Sequence, residues 1–191
     1  GKVLQRLKWR AVLQGEALLR FFTVNRDIFL RTLFLVAVNL FFVSAGARQG
    51  ALLLAANTLL MQLFTLFSYV MVGFAYAGEA LCGKYLGAHD AQGFHVTVKR
   101  LFAWGALLTT AYTAVYALGG DAFLALLTDD TAVLHAAHQY MPWAIAIPMA
   151  GVAAFVWDGV FIGTTATRGM LVSSAVAGIL FFAIYFVAAP T

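Results

Sequence analysis

Charge is scarce in this chain of 191 residues: Asp, Glu, Lys and Arg together make up 10%. A soluble domain carries about 25% charged residues, so a water-covered surface of ordinary composition is excluded. Cysteine is nearly absent. Cys82 stands alone, which excludes an intramolecular disulfide and any Cys-x-x-Cys metal site. Chemical motifs are missing too: no phosphate-binding glycine loop, nucleophile elbow, His-Glu-x-x-His helix or glycosidase-type acid pair occurs. The start, GKVLQRLKWR, is too interrupted by basic residues for a signal peptide.

What is present is apolar. Hydrophobic residues make up 63% of the chain and aromatics 15%, with a mean hydropathy of +0.88. Soluble domains hold about 45–50% apolar residues, so the composition is that of an integral membrane protein. Crossing the hydrocarbon takes roughly 20 apolar residues as a helix. Five segments qualify, at about 28–45, 51–82, 101–118, 140–165 and 169–188. They are apolar all round and too long for barrel strands, which alternate over about ten residues. The expected fold is all-α, with five membrane helices.

The basic residues orient those helices. Lys2, Arg6, Lys8, Arg10, Arg20, Arg26 and Arg31 precede or enter the first. Lys84, Lys99 and Arg100 lie between the second and third, and Arg168 between the fourth and fifth. Of the twelve basic residues only Arg48 falls on the other side, where Asp121, Asp129 and Asp130 also lie. The positive-inside rule then sets the N-terminal end in the cytoplasm. The net charge of +4 is read as topology charge, and no nucleic-acid partner is expected. Residues 1–26 read as a cytoplasmic linker, with a surface-lying amphipathic helix over 3–22. Residues 83–100 read as a second cytoplasmic connector, and 27–191 as the membrane part. Five helices with an abrupt start and end read as a piece of a longer protein.

Polar groups inside the apolar runs carry the functional information, because each is expensive in lipid without a partner. Asp158, in AAFVWDGVFIG, has no charged neighbour nearer than Arg168. Ten residues of helix rise about 15 Å, which sets Asp158 near mid-membrane. Gly159 and Gly163 form a Gly-x-x-x-Gly that admits a close helix. Pro142 and Pro148 each remove a backbone donor and can kink the same helix. A carboxylate so placed is a candidate proton or Na⁺ site, with a structural ion pair to a basic group elsewhere in the protein as the alternative. Asn57, Ser68 and Glu79, each eleven residues apart, share one helix face and are candidates for a cavity wall or gate, with helix–helix hydrogen bonding as the alternative for the first two. Glu79 falls toward the cytoplasmic end, where pairing with Lys84 is the alternative. Arg31 lies within reach of the interface by snorkelling, and Asn39 is deeper, a candidate for the cavity wall. His135 and His138, in HAAH of the expected outer connector, have ligand spacing but lack a third ligand, so no metal site is expected.

Four stretches together resemble a known family: NRDIFLRTL (25–33), GFAYAGEALCGKYLGAHD (73–90), LLT (126–128) and DGVFIGTTATRGM (158–170). They look like the DinF-type branch of the MATE multidrug and toxic compound exporters. The resemblance implies a twelve-helix, two-lobe fold in which these segments are helices seven to eleven, the start of the C-terminal lobe. It implies export of organic, often cationic or amphipathic compounds by H⁺ or Na⁺ antiport through alternating access, in the bacterial inner membrane. No other cofactor is implied. The partners would be the lipid bilayer, the small-molecule substrate and the remaining helices of the transporter. Asp158 matches the tenth-helix coupling acid. Na⁺-type relatives carry a seventh-helix glutamate where this chain offers Asn39 and Arg31, which favours H⁺. A lipid-linked precursor flippase would want a basic cavity, and an intramembrane enzyme a second acid at the depth of Asp158.

Overall fold

The computed structural model describes residues 15–188. Within them the chain forms five helices and no strand: α1 (Gly15–Arg48), α2 (Ala51–Gly87), α3 (Ala91–Leu127), α4 (Thr131–Gly163) and α5 (Thr167–Ala188). All five are long and apolar enough to cross a membrane. In lipid every backbone N–H and C=O must be met within the chain, which a continuous helix achieves segment by segment.

The helices run past the apolar segments. α2 and α3 hold 37 residues each, roughly 55 Å of helix against a hydrocarbon core of about 30 Å. The connector expected over 83–100 is therefore mostly helix, and the reversal takes only residues 88–90. Asp90 starts α3 by accepting from the Gly93 N–H at 2.8 Å. A Cβ on Gly93 would run into the side chains of Asp90 and Tyr85, so a larger residue there would have to push the capping carboxylate or the ring aside. The Asp90 N–H closes back on the Tyr85 carbonyl at 3.0 Å, while His89 takes a φ of 54°. The connector expected over 119–139 is likewise short. Asp130 caps α4 by accepting from the N–H groups of Ala132 and Val133, which puts His135 and His138 inside α4. Part of the surface helix expected over 3–22 lies outside the described residues. From Gly15 onward that stretch is helical and continues without a break into the first span.

The described residues divide into two units, 15–38 with 165–188, and 39–164. In the first, the early part of α1 and α5 run parallel. The Thr167 hydroxyl donates to Asp27 near one end, and Gly178 approaches Phe34 and Val38 further along.

The second unit is a three-helix body of α2, α3 and α4, joined by the last turns of α1. Gly78 meets Leu101, and the Leu63 carbonyl meets Tyr116, so α2 and α3 are antiparallel. Gly105 meets Val152 and Val156, and Gly120 meets Met141, so α3 and α4 are also antiparallel. α2 and α4 consequently run parallel and share the most extensive contact among the described helices. The main core is built from Leu60, Leu63, Phe67, Met71, Tyr116, Leu124, Ala137 and Met141. Phe67 is its centre, edge-on to both Tyr112 and Phe155.

Candidate functional site

Asp158 sits where α4 comes closest to another helix. Its neighbour Gly159 lies on the backbone of Ala75, and Gly163 lies on that of Glu79. A Cβ on Gly159 would stand 3.1 Å from the Ala75 Cα, and one on Gly163 2.9 Å from the Glu79 Cα. Gly83 completes the seam from the α2 side, 3.0 Å from the Gly163 carbonyl by the same measure. The Gly-x-x-x-Gly of α4 thus meets an Ala-x-x-x-Glu-x-x-x-Gly row of α2, backbone on backbone. Asp158 is half-buried at the edge of this seam, one turn beyond Phe155. The parallel register sets it level with Phe74, so Glu79 lies roughly 7.5 Å further along the pair, toward the 88–90 turn.

Asn57, Ser68 and Glu79 do share a face, and all three are half-buried. Each follows a buried residue, Ala56, Phe67 and Gly78, by one position, so the row flanks the core stripe of α2. Its contacts are with helices. The Asn57 amide nitrogen lies against Gly46 of α1, 3.2 Å from where a Cβ would be, and the backbone of Glu79 carries Gly163. Ser68 gives its hydroxyl to the Phe64 carbonyl of its own helix at 2.8 Å. Asn39 is exposed on α1, and Arg31 is half-buried in the other unit. The structure therefore groups Asp158 and Glu79 along one seam and leaves Asn39 on an open face.

Three arrangements were not anticipated from the residues. Asp27, within the NRDIFLRTL stretch, is only 2% exposed. Its carboxylate is met by Arg26 at 3.1 Å and by the Thr167 hydroxyl at 3.4 Å. Beside it opens a groove of about 700 Å³, lined by Glu16, Arg26, Thr167, Arg168 and Leu171 among others. The signal was the acid itself, at the mouth of an apolar run next to an arginine. Tyr116 donates its hydroxyl to the Leu63 carbonyl at 2.6 Å, a buried hydrogen bond between helices 53 residues apart in sequence. His138 Nδ1 meets Asp121 Oδ1 at 3.0 Å, with both side chains exposed. Among the described residues no group of three or more His, Cys, Asp or Glu is placed to hold a metal ion.

These features, five apolar helices with an acid beside a glycine seam, can be set against known proteins. Residues 28–187 match the MatE family, and the chain belongs to it. It is 36% identical over 158 residues to DNA damage-inducible protein F of Escherichia coli (strain K12), covering 83% of this chain and 34% of that protein. It is 26% identical over 122 residues to Protein DETOXIFICATION 42 of Arabidopsis thaliana, covering 64% of this chain and 24% of that protein. The chain thus spans about a third or less of the length of these curated relatives. No solved structure matches it.

Proposed function

We propose that this chain is part of the C-terminal lobe of a secondary exporter that moves organic, often cationic or amphipathic compounds out of a bacterial cell by H⁺ antiport, with Na⁺ the second choice of ion. The five helices would be the seventh to eleventh of twelve, with the N-terminal end cytoplasmic. Membership of the MatE family supports the class. The observation that carries the mechanism is Asp158, a half-buried acid in an apolar helix, fixed beside the Gly159–Gly163 seam. Such an acid changes charge on binding a proton or cation. A change of charge in apolar surroundings alters which arrangement of helices is cheapest, and that is the requirement for coupling an ion to alternating access.

In this reading α2 and α4 move as one body, because at the Gly159–Gly163 seam their backbones touch and leave no side chain to repack. Asp158 would then load and discharge its ion as this body turns against the remaining helices of the transporter. Where the resemblance sets the glutamate of a Na⁺ site, this chain offers Asn39 and Arg31, neither of them an acid, which supports H⁺. The test is resistance to toxic organic cations in a host stripped of its own exporters. The full-length protein with Asp158→Asn should reach the membrane in normal amount and confer no resistance; undiminished resistance would contradict the coupling role.

A further inference from the structure

Helical threonines in this protein mostly turn their hydroxyls back on their own helix. Thr23, Thr32, Thr58, Thr65, Thr110 and Thr164 each donate to the carbonyl four residues earlier, at 2.8–2.9 Å. Thr109 and Thr113 do not. Their Oγ1 atoms are buried and meet no hydrogen-bond partner among the described residues, and Thr109 is fully buried. The two stand one helical turn apart on the face of α3 that also holds Gly105 and Tyr116.

The helix register shows what this face looks at. Leu63 pairs with Tyr116 and Gly78 with Leu101, while Gly105 pairs with Val152 and Val156 and Gly120 with Met141. Phe67 of α2 and Pro148 of α4 are therefore both level with Tyr112, between the two threonines. Phe67 and Pro148 are among the most fully buried side chains of the molecule. Pro148 has no N–H, so the Ala144 carbonyl, one turn back, loses its helical donor. Ala144 is itself buried in the core. Two hydroxyls and one carbonyl, each lacking its usual partner, thus fall in one layer of a three-helix junction.

We propose that Thr109 and Thr113 hold a buried water that bridges their hydroxyls to the Ala144 carbonyl at the Pro148 break. Buried waters make about three hydrogen bonds to protein groups that would otherwise go unmet, and this layer offers three. A hydroxyl can give or take a hydrogen bond, so the two threonines can orient the water with a hydrogen toward the carbonyl. A hard cation would want more oxygens and a compensating charge. The layer has no carboxylate, since Asp158 lies ten residues further along α4. The water takes the place of the N–H that Pro148 lacks, so α4 keeps a hydrogen-bonded yet bendable joint between its His138 end and the segment carrying Asp158. The site does not depend on the exporter reading.

X-ray radiolytic footprinting of the full-length protein tests it, since side chains next to an ordered internal water are oxidised despite burial. With each yield normalised to the intrinsic radical reactivity of its side-chain type, Tyr116, one turn from Thr113 and 4% exposed, should be modified well above Met170, which is 2% exposed in the other unit. That modification should fall several-fold in T109V/T113V and return in T109S/T113S. Modification of Tyr116 no greater than that of Met170, or unchanged by the two valines, would overturn the proposal.

Discussion

Gly163 rests on the backbone of Glu79: a methyl group there would stand 2.9 Å from the Glu79 Cα and closer still to its carbonyl oxygen. Backbone cannot yield as a flexible side chain can. Gly163→Ala must therefore part α2 from α4 or bend one of them, at a cost of about 1–3 kcal/mol. Gly159→Ala, against Ala75, should cost as much. Gly151→Ala is the control, because its Cβ would find only ordinary contacts with Phe155 and Phe67 at 3.7 Å. Thermal melting of the purified full-length protein should rank both seam variants below Gly151→Ala.

Tyr116→Phe keeps the ring and deletes one buried hydrogen bond, that to the Leu63 carbonyl. The expected loss is about 0.5–1.5 kcal/mol, read as a lower melting temperature with unchanged helix content by circular dichroism. Tyr116→Leu should lose more, because the edge contact with Tyr112 goes as well.

Asp27 joins α1 to the start of α5 through Thr167. Its partner Arg26 is 65% exposed, so the ion pair is screened and contributes little. The burial of the carboxylate is the larger matter. Asp27→Ala should leave the Thr167 hydroxyl unmet and cost about 1–3 kcal/mol, while Asp27→Asn, which still accepts from Thr167, should cost less. Limited proteolysis at the 164–166 link reads the difference: faster cleavage in the alanine variant than in the asparagine variant.

The five spans were legible because apolar runs of that length have few other homes. Helix ends were less so. Lys84, His95, Lys99 and Arg100 look like a polar connector, yet they are good enough helix formers to extend α2 and α3. The reversals are marked by Asp90 and Asp130, each an N-cap that reads clearly once the helix it starts is known. The Gly159–Gly163 pair announced a close helix without saying which, since the partner row on α2 is recognisable only from its small residues Ala75 and Gly83. Asp27 was visible as an acid beside an arginine, but its burial depends on Thr167, 140 residues away. His138 carried the spacing of a ligand pair with His135, and what it meets is Asp121 on the facing helix. Local pattern gave the elements, whereas the contacts at the site are between helices and follow from register.

If Asp158 couples ion movement to export, proteoliposomes holding the full-length protein will show the coupling as proton flux. A pH-sensitive dye inside the vesicles would report proton movement when a cationic substrate is added outside at zero membrane potential. Substrate should evoke a proton flux opposite in direction to its own, abolished in Asp158→Asn while the variant still binds substrate. A flux of undiminished size in Asp158→Asn would contradict it.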